Sequence, residues 1–185
     1  EEYIQQTDIE GVFVDTRINL VDAFTAFMTN DSYHVNRFFS PDMDIRIERV
    51  LKKTHFDAII LESLFITPYI PTIKKNKKNA PLILSAHNIE YSIWEKIALR
   101  TKNPIKKIYL NHLTRQLKEF ECTMYNLVDG IATIADSDKI RMMQLGTYKP
   151  IRTISFGLNL NEYQPSIERN VNLFHIGAMD WAPNI

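Results

Sequence analysis

The chain has 185 residues, 45% hydrophobic and 24% charged, a composition typical of globular proteins that excludes a disordered one. Lys plus Arg and Asp plus Glu both number 22, so no net positive charge favours binding to nucleic acid. The single cysteine, Cys122, cannot form an internal disulfide, and no apolar run reaches the roughly 20 residues of a membrane span, so we expect a cytoplasmic protein.

In the first part of the chain, short apolar runs alternate with amphipathic stretches. Strands are predicted at 11–14 and 57–63, and helices at 20–27, 44–53 and 69–75. The run "DAIILES" at 57–63 is almost continuously apolar, so we expect a parallel strand buried on both faces.

The alternation continues to the end of the chain. Strands are predicted at 81–86, 129–135, 150–155 and 171–177, and helices at 102–127 and from an Asp136–Ser137 N-cap to Gly146. The long helix carries one apolar stripe, which consists of Ile105, Ile108, Tyr109, Leu113, Leu117, Phe120, Met124 and Leu127. Without a hairpin signal between strands, this order predicts an α/β protein with an open, mostly parallel, Rossmann-like sheet and helices on both faces.

Ligands of such sheets bind at the carboxyl ends of the strands, so the residues that follow each strand are the candidates for a site. They are Asp15, Glu62, Ser63, His87, Asn88, Ser137 and Gly157. His87 could act as a base or as a hydrogen-bond donor to a phosphate or a sugar hydroxyl, and the alternative is a histidine satisfied within its loop.

Several common sites are missing from the sequence. It contains no G-x-G-x-x-G, no G-x-x-x-x-G-K-[ST] and no G-x-S-x-G motif, and its five histidines show no metal-ligand spacing. We therefore expect neither a dinucleotide cofactor nor a metal.

Five motifs between Ser85 and Asn184 follow one another in a familiar order. They are "SAHNIEYSIWEKIA", "TRQLKEFE", "VDGIATIADSDK", "ISFGLNLNEYQP" and "LFHIGAMDWAPN". Together they resemble the family 4 glycosyltransferases, which are retaining enzymes of the GT-B architecture. The matching residues are His87, Asn88, Arg115, Glu121, Asp129, Asp136, Ser137, Asp138, Gly157, Leu158, Tyr163 and Pro165. Phe156 and Asn159 stand where the family usually has Asn and Asp, which leaves the contacts of this linker open.

The resemblance implies a two-domain enzyme. Residues 1–165 would be its N-terminal, acceptor-side domain without the first strand, and residues 166–185 a linker and the start of a truncated donor-binding domain. The enzyme would transfer a hexose, with retention and without a metal, from a nucleotide sugar to a saccharide or lipid-linked acceptor. Its partner would be the missing C-terminal domain of the same chain, so this piece alone is expected to be inactive. A peripheral contact with the inner face of the membrane stays open.

Within this resemblance His87 is the candidate catalytic residue, because the family's histidine approaches the transferred sugar or its phosphate. Arg115, Glu121 and Asp129 are expected to hold helix to sheet instead. The alternative is a non-catalytic flavodoxin-like or receiver-like binding or signalling module. A receiver needs clustered acids after its first strand, and Asp15 is the only acid in such a place.

Overall fold

A computed structural model describes residues 9–17 and 33–163. The helices are α1 (Tyr33–Asn36), α2 (Pro41–Lys53), α3 (Ile70–Asn76), α4 (Glu90–Arg100), α5 (Pro104–Leu127) and α6 (Asp136–Gln144). The strands are β1 (Ile59–Glu62), β2 (Leu82–Ala86), β3 (Gly130–Thr133) and β4 (Ile151–Thr153), and 3-10 helices cover Leu64–Tyr69 and Leu160–Glu162. The helix predicted at 20–27 and the strand predicted at 171–177 lie outside the described residues.

The four strands form one open sheet in the order β1-β2-β3-β4, and each neighbouring pair is parallel. Helices connect the strands and flank the sheet, which confirms the predicted α/β fold with an open, parallel, Rossmann-like sheet. The chain divides into two compact units, 1–154 and 155–185. The sheet belongs to the first, and the second contributes the short 3-10 helix at Leu160–Glu162.

The two faces of the sheet differ in burial. Leu61 and Leu84 are buried at 2% and 0% exposure and belong to the core cluster, whereas Ile60 is 60% exposed. The strands follow one another across the sheet in sequence order. When the crossovers of such a sheet are right-handed, all connecting helices lie on the same face, and here this is the face of the buried leucines. The expectation that β1 is buried on both faces is therefore wrong, because its alternate side chains point away from these helices.

Most predicted elements are confirmed, with shifted ends. Helix α2 begins three residues before the predicted start, since Pro41 suits the first helical position and Asp42 and Asp44 interact favourably with the helix N-terminus. The strand predicted at 11–14 is wrong. Residues 11–17 alternate between exposed and half-buried, as an extended chain does, but no strand is assigned there.

Helix α5 buries only part of its predicted apolar stripe. Leu113 and Leu117 are buried, whereas Ile105 and Ile108 at its amino end are largely exposed. The position of each residue on the helix follows the 3.6-residue period, but over the first turns no side chain within 9–17 and 33–163 covers the stripe. The amino end of α5 therefore presents apolar side chains at the surface.

Candidate functional site

The register of the sheet brings a histidine and a carboxylate together at its carboxyl edge. Glu62, the last residue of β1, lies opposite Ser85 of β2. Side chains two residues apart on a strand share a face, so His87, just after β2, lies on the same side as Ser85. His87 Nε2 and Glu62 Oε2 are 3.0 Å apart. Their side chains are 43% and 66% exposed, so solvent and ligands can reach both.

The charge of this pair is set by its hydrogen bonds. The pKa of Glu62 is lowered from its ordinary value, chiefly by the hydrogen bond with His87 and next by one with Ser85. Glu62 is therefore a carboxylate at neutral pH. A carboxylate at 3.0 Å fixes which ring nitrogen carries a proton and how the imidazole is oriented. The pair can hold a histidine in one orientation toward a polar ligand.

Ser63, next to this pair, has a strained backbone. Its φ of 94° and ψ of 155° fall in a region that glycine alone adopts easily. The residue is held there from both sides, since its N–H donates to the Ser85 carbonyl at 3.0 Å and its Oγ accepts from the Phe65 N–H at 3.2 Å. Strain of this kind is found preferentially at ligand sites, and here it lies at the turn from β1 into the 3-10 helix at Leu64–Tyr69.

The loop after His87 is attached to the core through a buried glutamate. Glu121 of α5 is completely buried and accepts hydrogen bonds from the backbone N–H groups of Glu90 and Tyr91, at 2.9 and 3.0 Å, and from the Tyr125 hydroxyl. Burial raises the pKa of Glu121 to about 7, although these hydrogen bonds act to lower it. Glu121 thus occupies the N-terminus of α4, the helix that begins three residues after His87.

Asn88 takes part in the same turn. Its side chain is hydrogen-bonded to Glu90, whose pKa is raised by burial and lowered in part by this bond. Asn88 itself is exposed at the edge. Its amide therefore orders the turn between β2 and α4 while one side of the residue faces solvent.

The ends of β3 and β4 contribute a second polar contact. The Thr153 hydroxyl donates to Asp136 Oδ1 at 2.6 Å. The predicted Asp136–Ser137 N-cap is wrong, because α6 begins at Asp136 and Ala135 is its N-cap residue, without a side-chain cap. Asp136 binds the neighbouring strand instead, and Ser137 is exposed in the first turn of α6.

The structure does not bring all candidates together. Asp15 is exposed, and its two carboxylate oxygens accept from Nε and Nη2 of Arg17, which lowers the pKa of Asp15 to about 2. Among its described contacts, none joins it to the His87–Glu62 pair. Gly157 belongs to the second compact unit and is described only within it.

The helix-to-sheet role expected for three residues is only partly correct. Asp129 Oδ2 accepts from the Leu82 N–H at 2.8 Å and from Lys77 Nζ at 3.0 Å, so it does hold the end of α5 to the sheet. The expectation for Arg115 is wrong, because this residue is exposed and pairs with Glu119 on its own helix.

Glu121 joins α5 to the start of α4 rather than to a strand. An acid next to the apolar stripe of a helix is the sequence signal for such a role, but the stripe alone does not reveal its partner.

An apolar groove lies apart from this edge. It has a volume of about 390 Å³ and runs between α2 and β1, lined by side chains such as Met43, Ile47, Val50 and Ile59. Within 9–17 and 33–163, no three His, Cys, Asp or Glu side chains cluster in a way that could hold a metal ion. None of the described helices combines the length and hydrophobicity needed to cross a membrane.

Comparisons with known proteins returned no relative. No family model, no curated protein sequence and no solved structure matches the chain.

Proposed function

We propose that this chain is the acceptor-side domain of a retaining, GT-B-type glycosyltransferase that transfers a hexose from a nucleotide sugar to a saccharide or lipid-linked acceptor. The observation that carries the proposal is the exposed His87–Glu62 pair at the carboxyl edge of a parallel sheet. This is the edge at which open α/β sheets bind ligands. It is also where the motif resemblance puts the histidine of the family 4 enzymes.

The proposed role of His87 is to donate a hydrogen bond from Nδ1 to a hydroxyl or phosphate oxygen of the bound sugar. This requires the imidazolium form, because the Nε2–H already donates to Glu62. Hexose transfer passes through an oxocarbenium-like state while negative charge grows on the leaving diphosphate. A donor held in one orientation stabilises that charge without reorganising during the reaction. Glu62 supplies the orientation through its bond to the imidazole ring.

The charges around this edge favour the acceptor side over the donor side. Two described helices of eight or more residues, α4 and α6, begin here, and helix N-termini ordinarily bind phosphates. At α4 the backbone N–H groups of Glu90 and Tyr91 already bind the carboxylate of Glu121. At α6 the first turn carries Asp136 and Asp138. Both helix ends are thus offset by acids, so a diphosphate would have to be held outside these residues, whereas a neutral sugar acceptor meets no such repulsion.

The test is a titration of the isotope-labelled 185-residue chain with a panel of mono- and disaccharides and, separately, with UDP. We expect a saccharide to shift the imidazole resonances of His87 and UDP to leave them unchanged. His55, in an exposed loop, is the internal control and should not move. The result that contradicts the proposal is a panel in which no saccharide moves His87, or in which His55 moves equally. The chain would then be interpreted as a non-catalytic α/β binding module and not as part of an enzyme.

A further inference from the structure

The connection between α4 and α5 exposes large apolar side chains. Leu99, Ile105 and Ile108 are 67%, 79% and 71% exposed. Tyr109 lies beside them and is 41% exposed. We call residues 99–109 the hairpin-tip surface. Scattered apolar residues are normal on a protein, but four large ones within eleven residues form a patch of the kind that marks an interaction site.

The same region is rich in positively charged residues, although the net charge of the whole chain is zero. Between Glu95 and Glu119 the sequence contains no Asp or Glu. Over that stretch the basic residues are Lys96, Arg100, Lys102, Lys106, Lys107, Arg115 and Lys118. Lys102 and Lys106 are exposed beside Ile105 and Ile108. Apolar and basic side chains are therefore interleaved on the hairpin-tip surface.

The geometry of the crossover places this surface beyond the carboxyl edge of the sheet. Helix α5 must end at the opposite, amino edge, because Asp129 N–H already donates to the carbonyl of Leu82, the first residue of β2. A helix of 24 residues is about 36 Å long, whereas a strand of five spans about 17 Å. The first half of α5, with α4 beside it, therefore projects past the edge on which His87 lies.

We propose that the hairpin-tip surface docks on an anionic lipid membrane. Leu99, Ile105 and Ile108 would enter the boundary between headgroups and acyl chains, while Lys102 and Lys106 would meet the lipid phosphates. Charge complementarity selects this occupant, since a second copy of the chain would bring like charges together. The contact deepens the proposed function, because a surface that projects on the side of His87 would bring a lipid-linked acceptor within reach of that residue.

The experiment is sedimentation of the 185-residue chain with vesicles of phosphatidylcholine alone or mixed in equal parts with phosphatidylglycerol. We expect binding to the anionic vesicles that weakens as salt is raised and is much weaker on the neutral vesicles. Reversing two charges in Lys102→Glu/Lys106→Glu should lower the affinity at least 25-fold, at about fivefold per lysine. Removing apolar contact in Ile105→Ser/Ile108→Ser should lower it about tenfold or more.

Two matched variants control for general effects of charge and hydrophobicity. Lys74→Glu/Lys75→Glu reverses an exposed lysine pair on α3, and Ile140→Ser/Met143→Ser removes an exposed apolar pair from α6. Both should bind vesicles as the original chain does, and circular dichroism of all four variants should show a folded protein.

Three results would overturn the proposal. The first is no binding to the anionic vesicles, and the second is equal loss in the hairpin-tip and control variants. The third is light scattering that shows a dimer of the chain which Ile105→Ser/Ile108→Ser dissociates, because the surface would then be a self-contact. Vesicle binding needs no sugar chemistry, so membrane docking and glycosyl transfer can fail separately.

Discussion

Replacing the buried Glu121 by glutamine should change the pH dependence of stability. The Glu121 carboxyl group accepts two backbone hydrogen bonds at the start of α4 and one from the Tyr125 hydroxyl. Burial nevertheless raises its pKa from an ordinary 4.5 to about 7, and nearby Glu90 acts in the same direction. In the folded protein this group therefore holds its proton to a higher pH than in the unfolded chain.

The sign and size of the effect follow by linkage. Between pH 4.5 and about 7 the folded state binds more protons than the unfolded state, so stability falls as the pH rises through this window. A tenfold change in proton affinity corresponds to about 1.4 kcal/mol, so the full difference amounts to roughly 3 kcal/mol. Glutamine cannot ionise, and its NH₂ group faces a backbone donor, which costs about 1–3 kcal/mol at every pH.

The assay is urea unfolding of the original chain and of Glu121→Gln at several pH values from 5 to 8. We expect the advantage of the original chain to be largest at pH 5 and to shrink by roughly 2.5 kcal/mol by pH 8. Glu119→Gln, an exposed glutamate on the same helix, is the control and should show a difference that varies little with pH. A constant difference for Glu121→Gln would refute the reasoning, because it would mean that the helix N-terminus and Tyr125 offset the cost of burial.

Three further predictions concern the edge of the sheet and its supports. His87→Ala should raise the pKa of Glu62 toward its ordinary value, because the hydrogen bond that lowers this pKa most is lost. NMR titration of the Glu62 carboxyl carbon measures the change, and an unchanged pKa would contradict the prediction. Ser63→Gly should be more stable than Ser63→Ala by about 1 kcal/mol or more in urea unfolding, because glycine accepts a φ of 94°, and equal stabilities would argue against strain. Asp129→Ala should lose about 1–2 kcal/mol by removing the acceptor of the Leu82 N–H, and a loss below 0.5 kcal/mol (about the scatter of surface substitutions) would contradict this role.

The elements of the sheet could be predicted from the sequence because each strand is a short apolar run between polar turns. Residues 81–86 and 129–135 show this directly, and both contain the strands expected there. The segment 11–14 has the same local pattern and forms no strand, since an apolar run becomes a strand only if a neighbour supplies hydrogen-bond partners. Local pattern therefore predicts where a strand can form but not whether it pairs.

The candidate site was predictable as a set of positions but not as a set of contacts. His87 and Glu62 could both be placed at strand ends, yet their contact depends on the register of β1 against β2, which no local pattern specifies. The burial of Glu121 depends likewise on which helix packs against α5. The exposure of Ile105 could not be predicted from periodicity either, because periodicity aligns a stripe without saying whether anything covers it.

The measurement that tests the central claim most directly is a transfer assay on the protein expressed from its complete gene. The folded protein is incubated with a panel of nucleotide sugars and candidate saccharide or lipid-linked acceptors, beside His87→Ala and, as a milder change, Glu62→Gln. The account predicts that one nucleotide sugar is consumed with retained anomeric configuration, that His87→Ala loses most of the rate while still folding, and that Glu62→Gln loses less. If the folded protein neither binds nor consumes any nucleotide sugar, the proposed function is wrong and the His87–Glu62 pair belongs to a binding module.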